Sequence, residues 1–381
     1  MVLSNQDSNY MQCNISVMDN IADPNITFDE KGICNYYYEY FEAEKLFTLK
    51  GEAAEKKVQE YVAQMKEYGK GKQYDCMLGV SGGVDSTYLA LIAKRLGLRV
   101  LCVHFDNGWN SELAVQNIEN IVSKCGFDLY TYVINWPEFK DIQLSYFKAN
   151  VIDIEAVTDI AIFASLDKLC TEKKMKYIID GRNVWTEETL PSAWIFKDTE
   201  NLIDIHSKFG SLQLKSYPIL SKLRRAYIQF QRPFTNIKLL NYLHYDKKKA
   251  KEEIIKELGW RDYGGKHYES VFTRFYQGYI LPEKFKIDKR KAHLSNLIFA
   301  GQLTKEQALE ELKQPIYDEE QKNIDKEFAL KKLGFTEQEF EAYIKAPAVP
   351  HTNFKVNGSL MDDYPLIKFI KPIYKKLKGI K

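Results

Sequence analysis

A short apolar run that leads into a glycine-rich turn is the feature that most constrains how this chain can fold. Cys76-Met77-Leu78-Gly79-Val80 is followed at once by Ser81-Gly82-Gly83-Val84-Asp85-Ser86, and a helical pattern then covers about residues 85–96. A buried strand that turns tightly into a helix is typical of a parallel α/β sheet. The sequence therefore predicts an α/β fold with this turn at the carboxyl end of a strand, where such sheets bind ligands.

The residues that follow alternate between strand and helix patterns. Strands are predicted over about 100–105, 129–134 and 177–179, and helices over about 112–125 and 155–173. After about residue 215 the strand patterns stop, and helical stretches rich in Lys, Glu and aromatic residues take over. We therefore divide the chain into four parts: an irregular N-terminal cap (1–50), a connecting helix (51–72), an α/β domain (73–215) and a helical region (216–381).

Composition excludes several functional classes. The chain has 381 residues, 45% of them apolar and 28% charged, which is ordinary for a globular protein of this length. Lys plus Arg number 54 and Asp plus Glu 52, so the charge balance is too even for a nucleic-acid-binding surface. No nucleic-acid partner is expected.

Cysteine usage and the absence of a targeting pattern suggest a cytoplasmic protein. The six cysteines are scattered along the sequence, and several lie in apolar runs, so we expect buried thiols without disulfides in a reducing compartment. The N-terminus has no signal-peptide pattern, and no apolar run approaches the roughly 18 residues that a membrane span requires.

The residue types in the turn at 81–86 suit a pyrophosphate anion. Two glycines let the backbone N–H groups approach phosphate oxygens, and the helix that starts near Asp85 adds the positive end of its dipole. Ser81 and Ser86 offer hydroxyl donors, and Asp85 can hold Mg²⁺ against the phosphates. The kinase-type pattern Gly-x-x-x-x-Gly-Lys-Ser/Thr is not present in the sequence.

These six residues resemble the Ser-Gly-Gly-x-Asp-Ser hallmark of the PP-loop ATP pyrophosphatases. The resemblance implies a PP-loop domain, similar to the adenine nucleotide alpha hydrolases, over 73–215. It also implies that ATP and Mg²⁺ are bound, that ATP is cleaved between its α and β phosphates, and that AMP is transferred to a carbonyl-type oxygen.

A narrower resemblance covers almost the whole chain. It is to the N-acetyl sugar amidotransferases of bacterial surface-glycan pathways, which act on lipopolysaccharide O-antigen sugars and on nonulosonic acids such as pseudaminic and legionaminic acid. Four groups of segments carry it: 17–19 with 23–29 and 32–35; 81–86 with 103–109; 153–155 with 158–159; and 266–267 through 272–275, continuing to 288–290 and 292–295.

This family resemblance implies a specific reaction and specific partners. ATP would adenylate the acetamido oxygen of a sugar, and ammonia would then displace AMP to leave an acetamidino group. The resemblance also implies that the ammonia comes from a separate glutaminase through a barrel-type subunit. None of the cysteines in this chain has the setting of a glutaminase nucleophile.

The expected catalytic and nucleotide-binding residues lie at the ends of the predicted strands. Asp85, Ser81, Glu155 and Asp159 are the expected catalytic residues, with Asp85 also the Mg²⁺ ligand. The expected nucleotide contacts are the turn Ser81, Gly82, Gly83, Val84, Asp85 and Ser86, together with Val103, Phe105, Asp106, Trp109, Gly181 and Arg182. Two alternatives stay open: Trp109 as a core aromatic, and the pair Glu155 and Asp159, four residues apart on one helix face, as a solvated surface.

The expected substrate contacts include a basic set in the helical region, which could bind an anionic group on the sugar. The expected substrate contacts are Thr186 and Glu187, together with the basic set His267, Arg274, Lys289, Arg290 and His293. Charge on a helix surface is the alternative for each member of the basic set.

One departure from the family pattern concerns zinc. Family members carry two Cys-x-x-Cys pairs, which form a four-thiolate zinc ribbon. Here Ser16 and Tyr37 replace the second cysteine of each pair, and only Cys13 and Cys34 remain. Zinc is therefore not expected.

Two rival functions also stay open. A tRNA-thiolating PP-loop enzyme would start with the same adenylation, but it normally needs reactive cysteines and a basic surface. A non-catalytic PP-loop subunit is compatible with the degenerate ribbon and less so with the intact turn.

Overall fold

A parallel sheet forms the centre of the molecule. The computed structural model describes residues 9–265 and 268–357. The strands are β1 (Cys76–Gly79), β2 (Val100–Asp106), β3 (Asp128–Val133), β4 (Tyr177–Ile179) and β5 (Thr235–Ile237). Their order is β3-β2-β1-β4-β5, and each neighbouring pair is parallel. The predicted α/β fold with a parallel sheet is confirmed.

The strand order reverses beside β1. The chain runs from β1 outward to β2 and β3, and it then returns to place β4 on the other side of β1. Met77 pairs with Ile178 and Leu78 with Ile179, so the residues that follow β1 and β4 emerge next to each other. Connections leave in opposite directions at such a point, which opens a crevice at the carboxyl ends of the strands.

Residues 9–50 form a cap that ends in a helix. Two tight turns bring Cys13 and Cys34 together, and the Cys34 N–H donates to the Cys13 sulfur at 3.3 Å. Helix α1 (Asn35–Phe47) follows directly. The expectation of an irregular cap up to residue 50 is therefore wrong for its second half, where the aromatic-rich sequence of α1 packs Tyr36 and Tyr40 inward.

Five helices follow in the α/β part of the chain. They are α2 (Gly51–Tyr68), α3 (Val84–Arg95), α4 (Glu112–Cys125), α5 (Trp136–Ala149) and α6 (Ala156–Glu172). The ends of α4 show how local sequence sets the bounds: the Ser111 hydroxyl accepts the Ala114 N–H at 3.2 Å, and Gly126 ends the helix with a φ of +70°.

The rest of the described chain is mostly helical. Its α-helices are α7 (Val184–Glu187), α8 (Thr199–Phe209), α9 (Lys222–Gln231), α10 (Lys247–Leu258), α11 (Val271–Phe275), α12 (Leu281–Phe285), α13 (Arg290–Phe299), α14 (Lys305–Lys313), α15 (Glu319–Leu333) and α16 (Glu337–Lys345). A π-helical turn (Tyr276–Ile280) joins α11 to α12, and 3-10 turns occupy Ser192–Trp194, Leu239–Tyr242 and His351–Asn353.

The structure corrects the predicted end of the α/β domain. β5 lies at residues 235–237 and pairs with β4, so the sheet extends past the expected boundary at 215. The expectation that strands stop after 215 is wrong. Unlike β4, which is buried throughout, β5 has one buried residue, Ile237, so the sequence shows no apolar run there.

Two large apolar clusters hold these elements together. One covers a face of the sheet with α2, α3, α4 and α10, and it contains Val62, Leu89, Ile118 and Ile254. The other joins the cap, α5, α6 and the C-terminal helices. Because the cap and the C-terminal helices share that second cluster, they pack against each other. None of the helices in the described part of the chain is long and apolar enough to cross a membrane.

Candidate active site

The loop between β1 and α3 has the backbone shape that a phosphate cradle requires. Gly82 has a φ of +85°, and a Cβ placed there would lie 2.7 Å from the Tyr263 hydroxyl and 3.1 Å from the Ala114 carbonyl oxygen. Only glycine fits at this point. Gly83 precedes the helix in an extended conformation, with no side chain to cap the first turn. The first N–H groups of α3 therefore lie beside the loop, where the helix dipole favours an anion.

The hydroxyl groups of the loop have different roles. The Ser81 hydroxyl is exposed and accepts the Gly83 N–H at 3.3 Å, which fits its predicted place beside a ligand. The Ser86 hydroxyl instead donates to the Gly83 carbonyl oxygen at 3.2 Å, as does the Thr87 hydroxyl at 2.7 Å. These two hydroxyls close the first turn of α3. The predicted contact of the Ser86 hydroxyl with phosphate is therefore not seen in this conformation.

Aromatic residues from beyond the sheet support the loop, and the sequence did not identify them. Trp260 donates its indole N–H to the Gly82 carbonyl oxygen at 2.7 Å, and the Tyr263 hydroxyl donates to the same oxygen at 3.1 Å. The Tyr245 hydroxyl donates to Asp85. Burial, reinforced by the charge of Asp85, holds the pKa of Tyr245 well above its usual range. Tyr245 therefore stays protonated and fixes the orientation of the Asp85 carboxylate.

A carboxylate from the C-terminal part of the chain also reaches the loop. Ser81 donates its hydroxyl to Glu269 at 3.3 Å, and a Cβ on Gly83 would lie 3.0 Å from the same carboxylate. The sequence offers no local pattern that links residues so far apart.

The turn after β2 is tightly closed. The Asp106 carboxylate accepts the Gly108 N–H at 2.8 Å and the Asn110 amide at 3.1 Å. His104 contacts the Val80 carbonyl oxygen through Nδ1 at 3.0 Å and Asn110 through Nε2 at 2.9 Å. Asp106 thus lies at the strand end as predicted, where its carboxylate shapes the turn.

The side chains predicted to contact nucleotide from β2 are mostly covered. Trp109 is 1% exposed and donates its indole N–H to Gln143 at 3.0 Å, so it is a core residue. Val103 is buried, and Phe105 stacks on Tyr132 with ring centroids 5.5 Å apart. The prediction that the Trp109 ring contacts nucleotide is corrected, because packing in the core leaves no face of the ring open.

The residues after β4 lie against the loop. A Cβ on Gly181 would lie 3.2 Å from the Ser86 nitrogen, so β4 ends in close contact with the first turn of α3. Arg182 donates from Nε to Asp180 at 2.6 Å, and its side chain is 63% exposed. Both residues are at the predicted crevice.

A cluster of charged side chains lies around the start of α6. Glu155, just before the helix, accepts the Gln277 amide at 3.0 Å and lies 3.7 Å from the Lys289 ammonium. Asp159, one turn into the helix, pairs with Lys197 at 2.8 Å. Glu155 and Asp159 are thus brought to one region, as their spacing predicts, each with its own cation.

A buried carboxyl underlies this cluster. Burial raises the pKa of Asp153 to about 7, while its hydrogen bond from the Phe196 N–H at 2.7 Å acts in the opposite direction. Lys197 interacts electrostatically with Asp153, Asp159 and Arg182. Asp153 and Lys197 were not singled out as site residues from the sequence, although Asp153 lies in a segment that carries the family resemblance.

The predicted substrate-binding residues are divided among several places. Lys289 faces Glu155, whereas Arg274 is bound by Asp325 at 2.5 and 2.9 Å. Arg290 binds Asp288 at 2.8 Å and the Gln314 carbonyl oxygen, which ends α14, at 2.9 Å. The predictions that Arg274 and Arg290 contact substrate are corrected, because other protein groups already occupy both guanidinium groups.

The other residues that were predicted to contact substrate differ in how exposed they are. Thr186 is 2% exposed and donates its hydroxyl to Asn183 at 3.2 Å, so its hydroxyl is not presented to a substrate. Glu187 and His293 are half-buried. His267 lies outside the described residues.

One carboxylate at the start of α3 suits a magnesium ion. Asp85 accepts the Tyr245 hydroxyl, which fixes the orientation of its carboxylate beside the loop. Mg²⁺ prefers hard oxygen ligands, usually one or two carboxylates together with substrate phosphates. No group of three or more His, Cys, Asp or Glu residues suited to a metal occurs within residues 9–265 and 268–357. Asp85 therefore fits a magnesium ion that arrives with a nucleotide and keeps phosphate oxygens as its other ligands.

Comparisons with known proteins match two separate parts of the chain. Residues 75–238 match the family model described as Queuosine biosynthesis protein QueC, and residues 269–371 match that of LPS biosynthesis protein WbpG-like, C-terminal domain. The chain is 24% identical over 326 residues to an uncharacterized protein, MJ1599, of Methanocaldococcus jannaschii, covering 81% of this chain and 97% of the relative. A structure of NMN synthetase from Francisella tularensis is also similar, with a TM-score of 0.36 and 15% identity over 78% of this chain and 98% of that one.

Proposed function

Because this chain carries a PP-loop domain followed by a domain of the WbpG-like lipopolysaccharide-biosynthesis type, we propose that it is an ATP-dependent sugar amidotransferase of bacterial surface-glycan synthesis. Its substrate would be an N-acetylated sugar, either nucleotide-linked or a nonulosonic acid of the kind attached to flagellin or lipopolysaccharide. The products would be the acetamidino sugar, AMP and pyrophosphate.

The observation that carries this proposal is that the phosphate cradle and the charged cluster both lie near the residues that follow β4. The phosphate cradle at 81–86 touches Gly181, and the next residue, Arg182, interacts electrostatically with Asp159 in the charged cluster. A nucleotide in the cradle and a polar substrate at the cluster would therefore be neighbours. Proximity of that kind is what transfer of AMP from ATP to a second substrate requires.

The cradle would act on the leaving pyrophosphate. The acetamido oxygen attacks the α-phosphorus, the bond to the β-phosphate oxygen breaks, and the N–H proton is lost as the O-adenylyl imidate forms. The loop N–H groups and the Ser81 hydroxyl would stabilise the charge that builds on pyrophosphate. Magnesium, when held by Asp85, would supply further neutralisation of phosphate charge.

The charged cluster would serve the second half of the reaction. Ammonia attacks the imidate carbon, AMP leaves with the former acetamido oxygen, and a proton must be carried away from the new nitrogen. Glu155 and Asp159 are the groups placed to take protons in these steps. Lys289 and Lys197, which pair with them, would hold an anionic part of the sugar.

The direct experiment measures AMP and pyrophosphate release with ammonium across a panel of N-acetylated sugars and their nucleotide-linked forms. We expect release with a restricted set of these sugars and a mass change of the product that corresponds to replacement of oxygen by NH. Asp85→Ala and Ser81→Ala should each lower turnover at least about 10²-fold, the scale for loss of one preorganised charge-stabilising group.

The matched control is Asp262→Ala, which removes a half-exposed carboxylate from the loop that follows α10. It should leave turnover unchanged. Normal pyrophosphate release by a folded Asp85→Ala variant would contradict the assignment of the cradle. Two results would contradict the assignment of the substrate. One is pyrophosphate release from ATP without any sugar, and the other is the absence of release with every sugar in the panel.

A further inference from the structure

We propose that Trp260 and Tyr263 are positioning residues that keep the phosphate cradle in its binding conformation before any nucleotide arrives. They do so by fixing one peptide group, the one between Gly82 and Gly83. The inference rests on the proposed function in one respect, which is that the loop at 81–86 binds the phosphates of ATP. Both aromatic residues lie between the two parts of the chain that match known families.

The peptide group between Gly82 and Gly83 is the part of the loop that is freest to rotate. Because neither residue has a Cβ, this peptide group can turn over at little steric cost. In one orientation the Gly83 N–H faces the cradle, where it can donate to a phosphate oxygen. In the opposite orientation the Gly82 carbonyl oxygen faces the cradle, and its partial negative charge disfavours an anion. The two glycines that make the cradle possible therefore also leave it able to lose a donor.

Two side chains hold this peptide group in the first orientation. The Gly82 carbonyl oxygen accepts the Trp260 indole N–H at 2.7 Å and the Tyr263 hydroxyl at 3.1 Å. The peptide bond is trans, so the Gly83 N–H points the opposite way, toward the exposed Ser81 hydroxyl, which accepts it at 3.3 Å. Gly82 is buried and Trp260 is 2% exposed, so the carbonyl oxygen is held on the buried side of the loop.

The segment that carries the two donors is itself anchored to α4. The Asn117 side chain accepts the Arg261 N–H at 2.9 Å and donates to the Arg261 carbonyl oxygen at 2.8 Å. The Asn120 amide donates to the Gly259 carbonyl oxygen at 3.0 Å. The two aromatic rings pack edge-on against each other, with centroids 5.6 Å apart. The donors are thus presented at fixed positions, which is what preorganisation of a binding loop requires.

Two donors on one oxygen predict a particular pattern of loss. Either donor can hold the peptide group when the other is removed. Removal of both leaves a buried carbonyl oxygen without a partner, and this penalty favours the orientation in which the oxygen turns toward the cradle. Nucleotide then binds only the correctly oriented fraction of the protein, which raises the apparent dissociation constant by the inverse of that fraction.

Titration calorimetry with a non-hydrolysable ATP analogue and Mg²⁺ tests this for Trp260→Phe, Tyr263→Phe and the double variant. Each single variant should bind the analogue within about twofold of the wild type, and the double variant at least about tenfold more weakly. Trp194→Phe is the matched control. It removes a buried indole N–H that donates to the Ala22 carbonyl oxygen at 2.9 Å, and it should leave the affinity unchanged.

A rescue variant separates positioning from packing. Trp260→His keeps an N–H at the corresponding place of its five-membered ring and removes the outer ring of the indole. Combined with Tyr263→Phe, it should bind the analogue within about twofold of the wild type, although the lost ring volume lowers its stability in urea. Equal weakening of binding by the histidine and phenylalanine double variants would mean that the Trp260 ring only fills space, and it would overturn the inference.

A second measurement uses the wild-type protein and does not depend on whether a variant folds. With ¹⁵N-labelled tryptophan, the Trp260 indole proton, assigned by its loss in Trp260→Phe, should exchange with solvent equally slowly with and without the analogue. Protection that arises only after the analogue binds would overturn the inference, because the peptide group would then be oriented by the ligand.

Two further outcomes distinguish this inference from the proposed function. A phenylalanine double variant whose loss of affinity is no larger than the product of the two single losses would overturn the inference and leave the proposed function standing. Failure of the wild-type protein to bind the analogue with Mg²⁺ would overturn both.

Discussion

At the scale of single residues, Arg274 illustrates how a partner decides the role of a charge. Its side chain is 14% exposed, and its Nε and Nη2 both donate to Asp325, which is 3% exposed. Tyr317 and Gln321 donate to the same carboxylate. The residue type alone suggested recognition of an anionic substrate, but the anion that it binds is a side chain 51 positions away, which joins α11 to α15.

We predict that Arg274→Ala destabilises the protein and does not act selectively on substrate. Removing one partner of a buried ion pair leaves the other charge uncompensated, so the free energy of unfolding should fall by about 3–5 kcal/mol. Urea denaturation monitored by circular dichroism measures this. Lys313→Ala is the control, since it removes the cation of an exposed ion pair with Glu310 on α14, and it should cost less than about 1 kcal/mol.

A double variant separates the two interpretations of Arg274. Arg274→Met combined with Asp325→Leu removes both charges, and it should recover much of the stability that Arg274→Ala loses. An Arg274→Ala protein of wild-type stability with a selective loss of sugar affinity would instead restore the role that the sequence suggested.

Asp153 leads to a prediction about pH. Burial raises its pKa from 3.8 to about 7, so between these values the folded protein binds a proton more tightly than the unfolded chain does. The free energy of unfolding should therefore decrease as the pH rises through this window. Asp153→Asn keeps an acceptor for the Phe196 N–H and removes the titration. As the pH rises, its free energy of unfolding should therefore increase relative to that of the wild type, by at most about 4 kcal/mol.

Urea denaturation at several pH values from 4 to 8 checks this prediction for wild type and Asp153→Asn. The difference between the two proteins should be smallest at the acid end and constant above the folded pKa of about 7. A difference that does not change with pH would mean that the Asp153 carboxyl is ionised throughout this range.

At the scale of secondary-structure elements, the sequence predicted helices with a regular hydrophobic period. It missed a helix whose period is interrupted by buried polar residues. The helices over about 85–96, 112–125 and 155–173 agree with α3, α4 and α6 to within one or two residues. α5 was not predicted, since polar residues such as Glu138, Asp141 and Gln143 are buried along it with its aromatic ones. Glu138 and Asp141 accept backbone N–H groups from residues 211–217, so their burial depends on a distant loop.

The cap is the element where the sequence gives a sharp prediction about metal. Ser16 lies where a second thiolate would be, with its hydroxyl 3.9 Å from the Cys34 sulfur. The Tyr37 ring packs edge-on against Phe299, with centroids 5.7 Å apart. The two turns thus bring only two cysteines together, Cys13 and Cys34. A hydrogen bond from Cys34 lowers the pKa of Cys13, which stabilises its thiolate without a metal.

We predict that the purified protein holds less than about one zinc per ten chains, since two thiolates rarely hold a structural zinc ion. Elemental analysis after dialysis measures it. The double variant Ser16→Cys and Tyr37→Cys restores the four-cysteine pattern and should bind zinc at close to one per chain. Stoichiometric zinc in the wild-type protein would mean that other ligands complete the site.

At the scale of the whole molecule, the candidate site is assembled from parts of the chain that no local pattern connects. The loop at 81–86 could be recognised from sequence because its residues are contiguous. Tyr245, Trp260 and Glu269 reach it from 160 to 188 positions away, and only the packing of the C-terminal region against the sheet brings them there. The same holds for Gln277 and Lys289 at the charged cluster.

The supply of nitrogen is also a question for the whole molecule. Free ammonia is scarce at neutral pH, because nearly all of it is ammonium, which has no lone pair for attack. A glutaminase site of its own would need an accessible cysteine with a lowered pKa. All six cysteines are buried, and burial raises the pKa of Cys102 and Cys170 to about 12 and that of Cys125 to about 11. None of these three thiols is suited to attack glutamine.

We therefore predict that the isolated chain uses ammonium salts at alkaline pH and does not use glutamine. Turnover with a fixed concentration of ammonium should rise with pH as the fraction of free ammonia rises.

Adding a separate glutaminase together with a barrel-type subunit, the partners proposed for ammonia delivery, should restore turnover with glutamine at neutral pH. A glutaminase whose nucleophilic cysteine is replaced by alanine is the control, and it should restore nothing unless ammonium is added. Glutamine-dependent turnover by the purified chain alone would contradict the prediction. Such turnover would require a nucleophile other than Cys102, Cys125 and Cys170, and the proposed need for partner subunits would then be wrong.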